Sequence, residues 1–136
     1  MEKYIGVKIM HATKLEPENG KECYLVVNED GNLKWTDKDS FETVFRPANG
    51  MTFGLAIEAM KKGCSVARKG WNGKDQFIYL IKGSAMQKVL KYGYGEYMGE
   101  PTIVDTIAIK TASNQIQIGW LASQTDMLAE DWYVVE

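Results

Sequence analysis

The chain has 136 residues, with 16 Lys and Arg against 18 Asp and Glu, a formal net charge of −2 and 45% hydrophobic residues. This composition excludes a disordered chain, and the charge balance argues against a surface built to grip duplex DNA. No apolar run reaches bilayer length, and two distant cysteines with a single histidine, His11, exclude a structural zinc site.

Charge is unevenly spread. Residues 1–50 carry seven Lys/Arg and nine Asp/Glu, residues 51–100 eight and four, and residues 101–136 one and five. The acidic last third is therefore a partner for the cationic middle, within one fold or between subunits. Met1-Glu2-Lys3-Tyr4 lacks signal-peptide architecture, so reduced thiols in a cytosol are expected.

In chain order, Tyr4–Met10 alternates as a strand does, and Glu16–Gly20 reads as a turn or loop. Cys23–Val27 is a β-branched and aromatic strand, Asn28–Asn32 a turn around Asp30-Gly31, and Leu33–Trp35 the partner strand. Thr36 or Asp37 then caps a short helix whose Phe41, Val44 and Phe45 share one face, closed by Arg46-Pro47. These residues, 1–50, form a small ββα-type unit, too small to be more than marginal alone.

Thr52 caps a helix beginning at Phe53, with Phe53, Ile57 and Met60 inward, Lys61-Lys62 at its end and Gly63 as its stop. Ser65–Arg68 and Gln76–Leu80 read as strands joined by a two-residue turn at Asn72-Gly73. Ala85–Lys91 is a short helix, and Tyr92–Pro101 a Gly/Tyr-rich loop. Thr102–Thr111 alternates as a strand, turns at Ala112–Asn114 and returns over Gln115–Trp120. Leu121–Asp131 holds a polar loop or single helical turn, and Trp132–Val135 closes the sheet. No βαβ alternation is present, so the expected class is α+β: an antiparallel sheet packed by one main helix, residues 51–136, preceded by the small N-terminal unit.

Catalytic chemistry has little to stand on. His11 has no nucleophile–acid partners, and Cys64 follows a helix stop rather than a helix start. No phosphate-binding glycine loop is present. Asp126, Glu130 and Asp131 read as a solvated helical face in preference to a metal site, so neither metal nor cofactor is expected. Binding chemistry has more. Trp71 stands among Arg68, Lys69 and Lys74: an indole that stacks on a flat ligand and cations that meet phosphate, or an aromatic that caps a small core. Ser123-Gln124-Thr125-Asp126 offers hydroxyls, an amide and a carboxylate between Trp120 and Trp132, as a ligand-reading loop or as a helix cap.

Three segments, Met51–Ala56, Val66–Lys74 and Gly119–Trp132, carry a resemblance. In order and spacing they resemble the second type of Thoeris anti-defence protein, a phage and prophage family. The resemblance covers residues 51–136. It implies a non-enzymatic sponge in the cytoplasm of the infected host, which sequesters cyclic ADP-ribose-type signals such as glycocyclic ADP-ribose without cleaving them. Some members also take cyclic dinucleotides, and members assemble as homotetramers with pockets between subunits. Neither nucleic acid nor membrane is an implied partner. By motif matching, Trp71 stacks on adenine, with Phe77 or Tyr79 sharing that role. Arg68, Lys69 and Asn72 lie near phosphate or ribose. Ser123, Gln124, Thr125 and Asp126 are polar pocket residues, with Asn114 a further candidate. Residues 1–50, which short members lack, resemble a small domain at the start of phage proteins. The competing reading from the residues alone is a protein-binding inhibitor anchored by Trp71, Tyr94, Tyr97 and Trp120.

Overall fold

A computed structural model describes residues 1–16, 20–89 and 102–136. The chain divides into two units, Met1–Pro47 and Ala48–Glu136. The Gly/Tyr-rich loop expected at Tyr92–Pro101 lies outside the described residues.

The first unit is a three-stranded antiparallel sheet and one helix. Strands β1 (His11–Leu15), β2 (Cys23–Val27) and β3 (Leu33–Asp37) follow in order, and helix α1 (Lys38–Val44) comes next. The expected strand at Tyr4–Met10 is absent; β1 starts where it ends. A strand lasts only as long as its neighbour, and β2 runs out at Val27, opposite His11. Gly31 takes the positive φ that the Asp30-Gly31 turn requires. Asp37 caps α1 by accepting from the Ser40 amide. Tyr24, Phe41 and Phe45 stack in series, with centroids 4.2 and 4.8 Å apart, and so cover one sheet face. Val44 is exposed, because α1 ends there and Phe45 already lies beyond it.

The second unit is a five-stranded antiparallel sheet packed by helix α2 (Phe53–Lys61), as the alternation implied. The strands are β4 (Ser65–Arg68), β5 (Phe77–Ile81), β6 (Thr106–Lys110), β7 (Ile116–Ile118) and β8 (Trp132–Val135), in the order β7-β6-β5-β4-β8. Between them lie helices α3 (Gly83–Val89) and α4 (Gln124–Leu128). Thr52 caps α2 through the Leu55 amide, and Gly63, at φ +91, ends it. The core is Ala56, Ala59 and Met60 of α2 against Val66, Ile78, Ile109 and Trp132, with Met51 closing one end. Alternation along each strand sends Val66, Ile78, Ile107, Ile109, Trp132 and Val134 toward α2. It sends Phe77 and Tyr79 to the other face.

Two expected strands are shorter. Thr102–Asp105 does not pair; instead Asp105 accepts from the Gly83 amide at 2.9 Å and from Lys82 at 3.2 Å, which ties the start of α3 to the entry of β6. The return strand stops at Gly119, whose φ of +89 turns the backbone so that Trp120 N donates to Ile107 O. At Gly83 a Cβ would lie 1.8 Å from the Ile103 carbonyl oxygen. Backbone cannot step aside as a side chain can, so Gly83→Ala is expected to destabilise this unit by about 2 kcal/mol, read as a lowered thermal midpoint.

The β4–β5 connection departs furthest from expectation. A two-residue turn at Asn72-Gly73 would set Val66 opposite Tyr79. The structure sets Val66 opposite Ile78. The one-residue difference decides which face each β5 side chain takes, and this register buries Val66 and Ile78 together under α2, both at 0% exposure. The turn is replaced by a longer loop, residues 69–76, with Asp75 rather than Asn72 at positive φ (56°).

Candidate functional site

The loop takes this path because its first half is bound to the chain just before β8. β4 and β8 pair antiparallel, with Arg68 opposite Trp132. That places Asp131 beside the exit of β4. Asp131 accepts from Arg68 Nε at 2.9 Å and from the Gly70 amide at 2.7 Å, and its carbonyl accepts from Lys69 N. Gly70 permits this approach: a Cβ there would stand 2.9 Å from Asp131 Oδ2 and 3.1 Å from Arg68 Nη2.

Asp126 is the junction of the site. Ser123 caps α4 by accepting from the Asp126 amide, and the Asp126 carboxylate returns to the Ser123 amide, a reciprocal capping box. Its other oxygen takes Arg68 Nη1 at 2.8 Å and the Trp71 indole N–H at 3.0 Å. Its backbone carbonyl takes the Trp132 indole N–H at 2.9 Å. The residue is 9% exposed. Burial opposes its ionisation, but the donors Trp71, Arg68 and Ser123 outweigh burial and bring its pKa down to about 2. Arg68 holds Asp131 below the usual carboxylate range, while Asp131 and Asp126 raise Arg68 further above its own.

Above this network three indoles meet edge to face. Trp71 lies 6.0 Å from Trp120 and 5.4 Å from Trp132, and Phe53 of α2 sits 5.2 Å from Trp132. Trp132 is fully buried; Trp71 and Trp120 are half-buried, each packed on the core at one side and reaching solvent at the other.

The expected site residues therefore fall into groups. Arg68, Trp71, Ser123 and Asp126 are joined by hydrogen bonds. Lys69 and Asn72 are exposed on the adjoining loop, and Gln124 and Thr125 on the first turn of α4, where Ser123 Oγ and Thr125 Oγ1 stand 2.9 Å apart. Phe77 and Tyr79 form a tilted ring pair at 6.0 Å on the sheet face away from α2, so the sheet separates them from Trp71. Asn114, at φ +61, shapes the exposed β6–β7 turn.

One expectation changes. Asp126 and Asp131 do not form a solvated helical face, since both turn inward to Arg68. Arg68 engages the two carboxylates through Nη1 and Nε, and this cluster of one guanidinium and two carboxylates nets one negative charge. The cations left over are Lys69 and Lys74, which are exposed and make no ion pair among the described residues. Asp131 and Gly70 were missed as site residues because their role depends on β4 pairing with a strand more than sixty positions away, |i−j| being 63 for Arg68–Asp131. A cleft of about 310 Å³, lined by Ile57, Met60, Leu80 and Ile107 with Lys61, Lys82 and Asp105, contains none of these residues.

A pH dependence follows. Asp126 is a stronger acid folded (about 2) than its ordinary 3.8, so its ionisation contributes stability that is complete above about pH 4 and lost as pH falls toward 2. Asp131 acts in the same direction. Urea midpoints at pH 3 should lie below those at pH 6, and Asp126→Asn should shrink that difference.

Residues 51–135 match the family model of the Thoeris anti-defense 2-like domain. The chain is also similar to a protein of Bacillus phage SP01, Thoeris anti-defense 2, at 48% identity over 85 residues, which is 62% of this chain and 94% of that protein. The matched stretch holds α2, the 69–76 loop, α4 and the whole Arg68–Trp71–Asp126–Asp131 network.

Proposed function

The chain belongs to the Thoeris anti-defense 2-like family, and from that premise we propose that it counters the Thoeris system as a sponge, binding a cyclic ADP-ribose-type signal (glycocyclic ADP-ribose) and holding it uncleaved in the host cytoplasm. The observation that carries this reading is the Asp126 junction. It sets a half-exposed indole, Trp71, beside an exposed hydroxyl and amide turn, Ser123-Gln124-Thr125, and beside a loop bearing the exposed cation Lys69. An adenine has a ring to stack on, ribose hydroxyls have donors and acceptors, and the diphosphate has Lys69 and Lys74. Arg68 serves this site by holding the loop.

Completion of the pocket is assigned to a second copy. Phe77 and Tyr79 are on the wrong side of the sheet to join Trp71 within one chain, so their part in binding requires another subunit. Leu121 (91% exposed) and Leu128 (79%) flank the polar turn, and such exposed aliphatics beside a site suit a subunit contact. A homotetramer with pockets between subunits is the assembly we assign, with cyclic dinucleotides as a further ligand class.

The test is direct. The protein is incubated with glycocyclic ADP-ribose, the free ligand is measured after ultrafiltration, and the retained fraction is heat-denatured. Depletion of free ligand followed by recovery of intact ligand supports sequestration. Recovery of a cleaved product makes the protein an enzyme, and failure to deplete the ligand removes this reading in favour of a protein-binding inhibitor. Native mass spectrometry of the same mixture reports subunit number and ligand count together.

A further inference from the structure

The stretch before β1 has the pattern of a strand and no partner. Ile5, Val7 and Ile9 alternate with Tyr4, Gly6 and Lys8, yet among the described residues none of residues 1–10 belongs to a sheet. Ile5 is 92% exposed and Ile9 53%. The stretch runs directly into β1, one of the two edge strands of the first unit's sheet. Extended in phase with β1, its odd-numbered residues continue the face of His11, Thr13 and Leu15. By the β1–β2–β3 register that face also carries Val27, Leu33 and Trp35, all exposed. The other face is the one Phe41 and Phe45 cover. A β-prone arm thus prolongs an apolar sheet face whose Val27, Leu33 and Trp35 stay exposed among the described residues.

We propose that residues 1–9 pair with residues 1–9 of a second copy, antiparallel about Ile5, so that the arm becomes a strand only between two chains. The side chains select this register. It sets Glu2 opposite Lys8 twice, an opposite-charge cross-strand pair on each side of the two-fold. It sets Tyr4 opposite Gly6 twice, an aromatic over a glycine that has no side chain to pack. It sets Ile5 against Ile5 and Met1 against Ile9 on the apolar face. The alternative two-fold about Val7 loses both charge pairs, brings Lys8 opposite Gly6, and draws His11 and Ala12 of β1 into the ribbon. The register about Ile5 uses residues 1–9 alone and leaves β1 paired as it is. Pairing across a two-fold closes on itself, so it yields dimers and not fibres. One such ribbon buries less than the roughly 1,200 Å² of a standard interface, so it suits chains already brought together by the second unit.

Single cysteines in the full chain, treated with the shortest bis-maleimide, test the register against the wild-type background of Cys23 and Cys64. Ile5→Cys should cross-link to itself at least fivefold above that background. Lys3→Cys alone and Val7→Cys alone should stay near background, while an equimolar mixture of the two should give the heterodimer, because residue 3 faces residue 7. Val7→Pro added to Ile5→Cys should abolish cross-linking without lowering the thermal midpoint, since Val7 belongs to no strand of the single chain among the described residues. The proposal is overturned if all positions cross-link alike, if none rises above background, or if Val7→Pro leaves the Ile5→Cys dimer intact. None of these readouts depends on ligand binding.

Discussion

Asp126→Ala is expected to lower the unfolding free energy of the Ala48–Glu136 unit by about 3 kcal/mol, a fall in thermal midpoint on the order of 10–20 °C. The size follows from what is stranded. Arg68 Nη1, the Trp71 indole N–H and the Ser123 amide each lose their acceptor, in a site where Asp126 is 9% exposed. An orphaned buried donor costs about 1–3 kcal/mol, and more where it is charged. Arg68 keeps Asp131, which holds the total below a simple sum. Asp126→Asn keeps an oxygen for the indole and for the capping amide but gives up the charge facing Arg68, so about 1–2 kcal/mol is expected. Differential scanning calorimetry of both variants checks this. A change within about 0.5 kcal/mol for the alanine variant is the behaviour of an ordinary surface residue and would remove Asp126 from the centre of the site.

Trp71→Ala is expected to weaken uptake of glycocyclic ADP-ribose about 30- to 100-fold, corresponding to the roughly 2–3 kcal/mol that a base–aromatic stack contributes. The substitution also removes edge contacts with Trp120 and Trp132 and leaves Asp126 one donor short, so stability falls as well. Trp71→Phe separates the two effects. Phenylalanine keeps a stacking face and apolar contact but cannot donate to Asp126. A stacking role predicts that Trp71→Phe retains most of the affinity while losing about 1 kcal/mol of stability. If ligand uptake, measured by equilibrium dialysis on protein shown to be folded, is unchanged in Trp71→Ala, the indole is a core residue and the pocket lies elsewhere. Loss of affinity in Trp71→Phe equal to that in Trp71→Ala would instead assign the indole N–H, through Asp126, as the group that matters.

The local elements were legible because their causes are local. Thr52 and Gly63 bound α2 through a hydroxyl cap and a positive φ, and both are properties of single residues. Asp30-Gly31 made its turn, and Asp37 capped α1, for the same reason. Strand alternation and the lack of βαβ order were enough for an antiparallel α+β fold. The Trp71 and Ser123–Asp126 segments stood out as chemistry-bearing, and the structure does bring Trp71 and Asp126 to hydrogen-bonding distance.

What the tertiary structure decided is where strands begin, which residues oppose which, and what a charge is used for. Asn72-Gly73 is a strong turn dipeptide, yet the register is taken from burying Val66 with Ile78 and from the hold of Asp131 on Gly70, interactions that outweigh a turn preference. Tyr4–Met10 has strand alternation but no strand, because backbone pairing needs a neighbour and β2 ends at Val27. Arg68 looks in sequence like a phosphate cation, and in the fold its guanidinium is shared by two carboxylates from the far end of the chain. Residue type says what a side chain can do. Only the pairing of β4 with β8, across more than sixty positions, decides that Arg68 and Asp131 do it together.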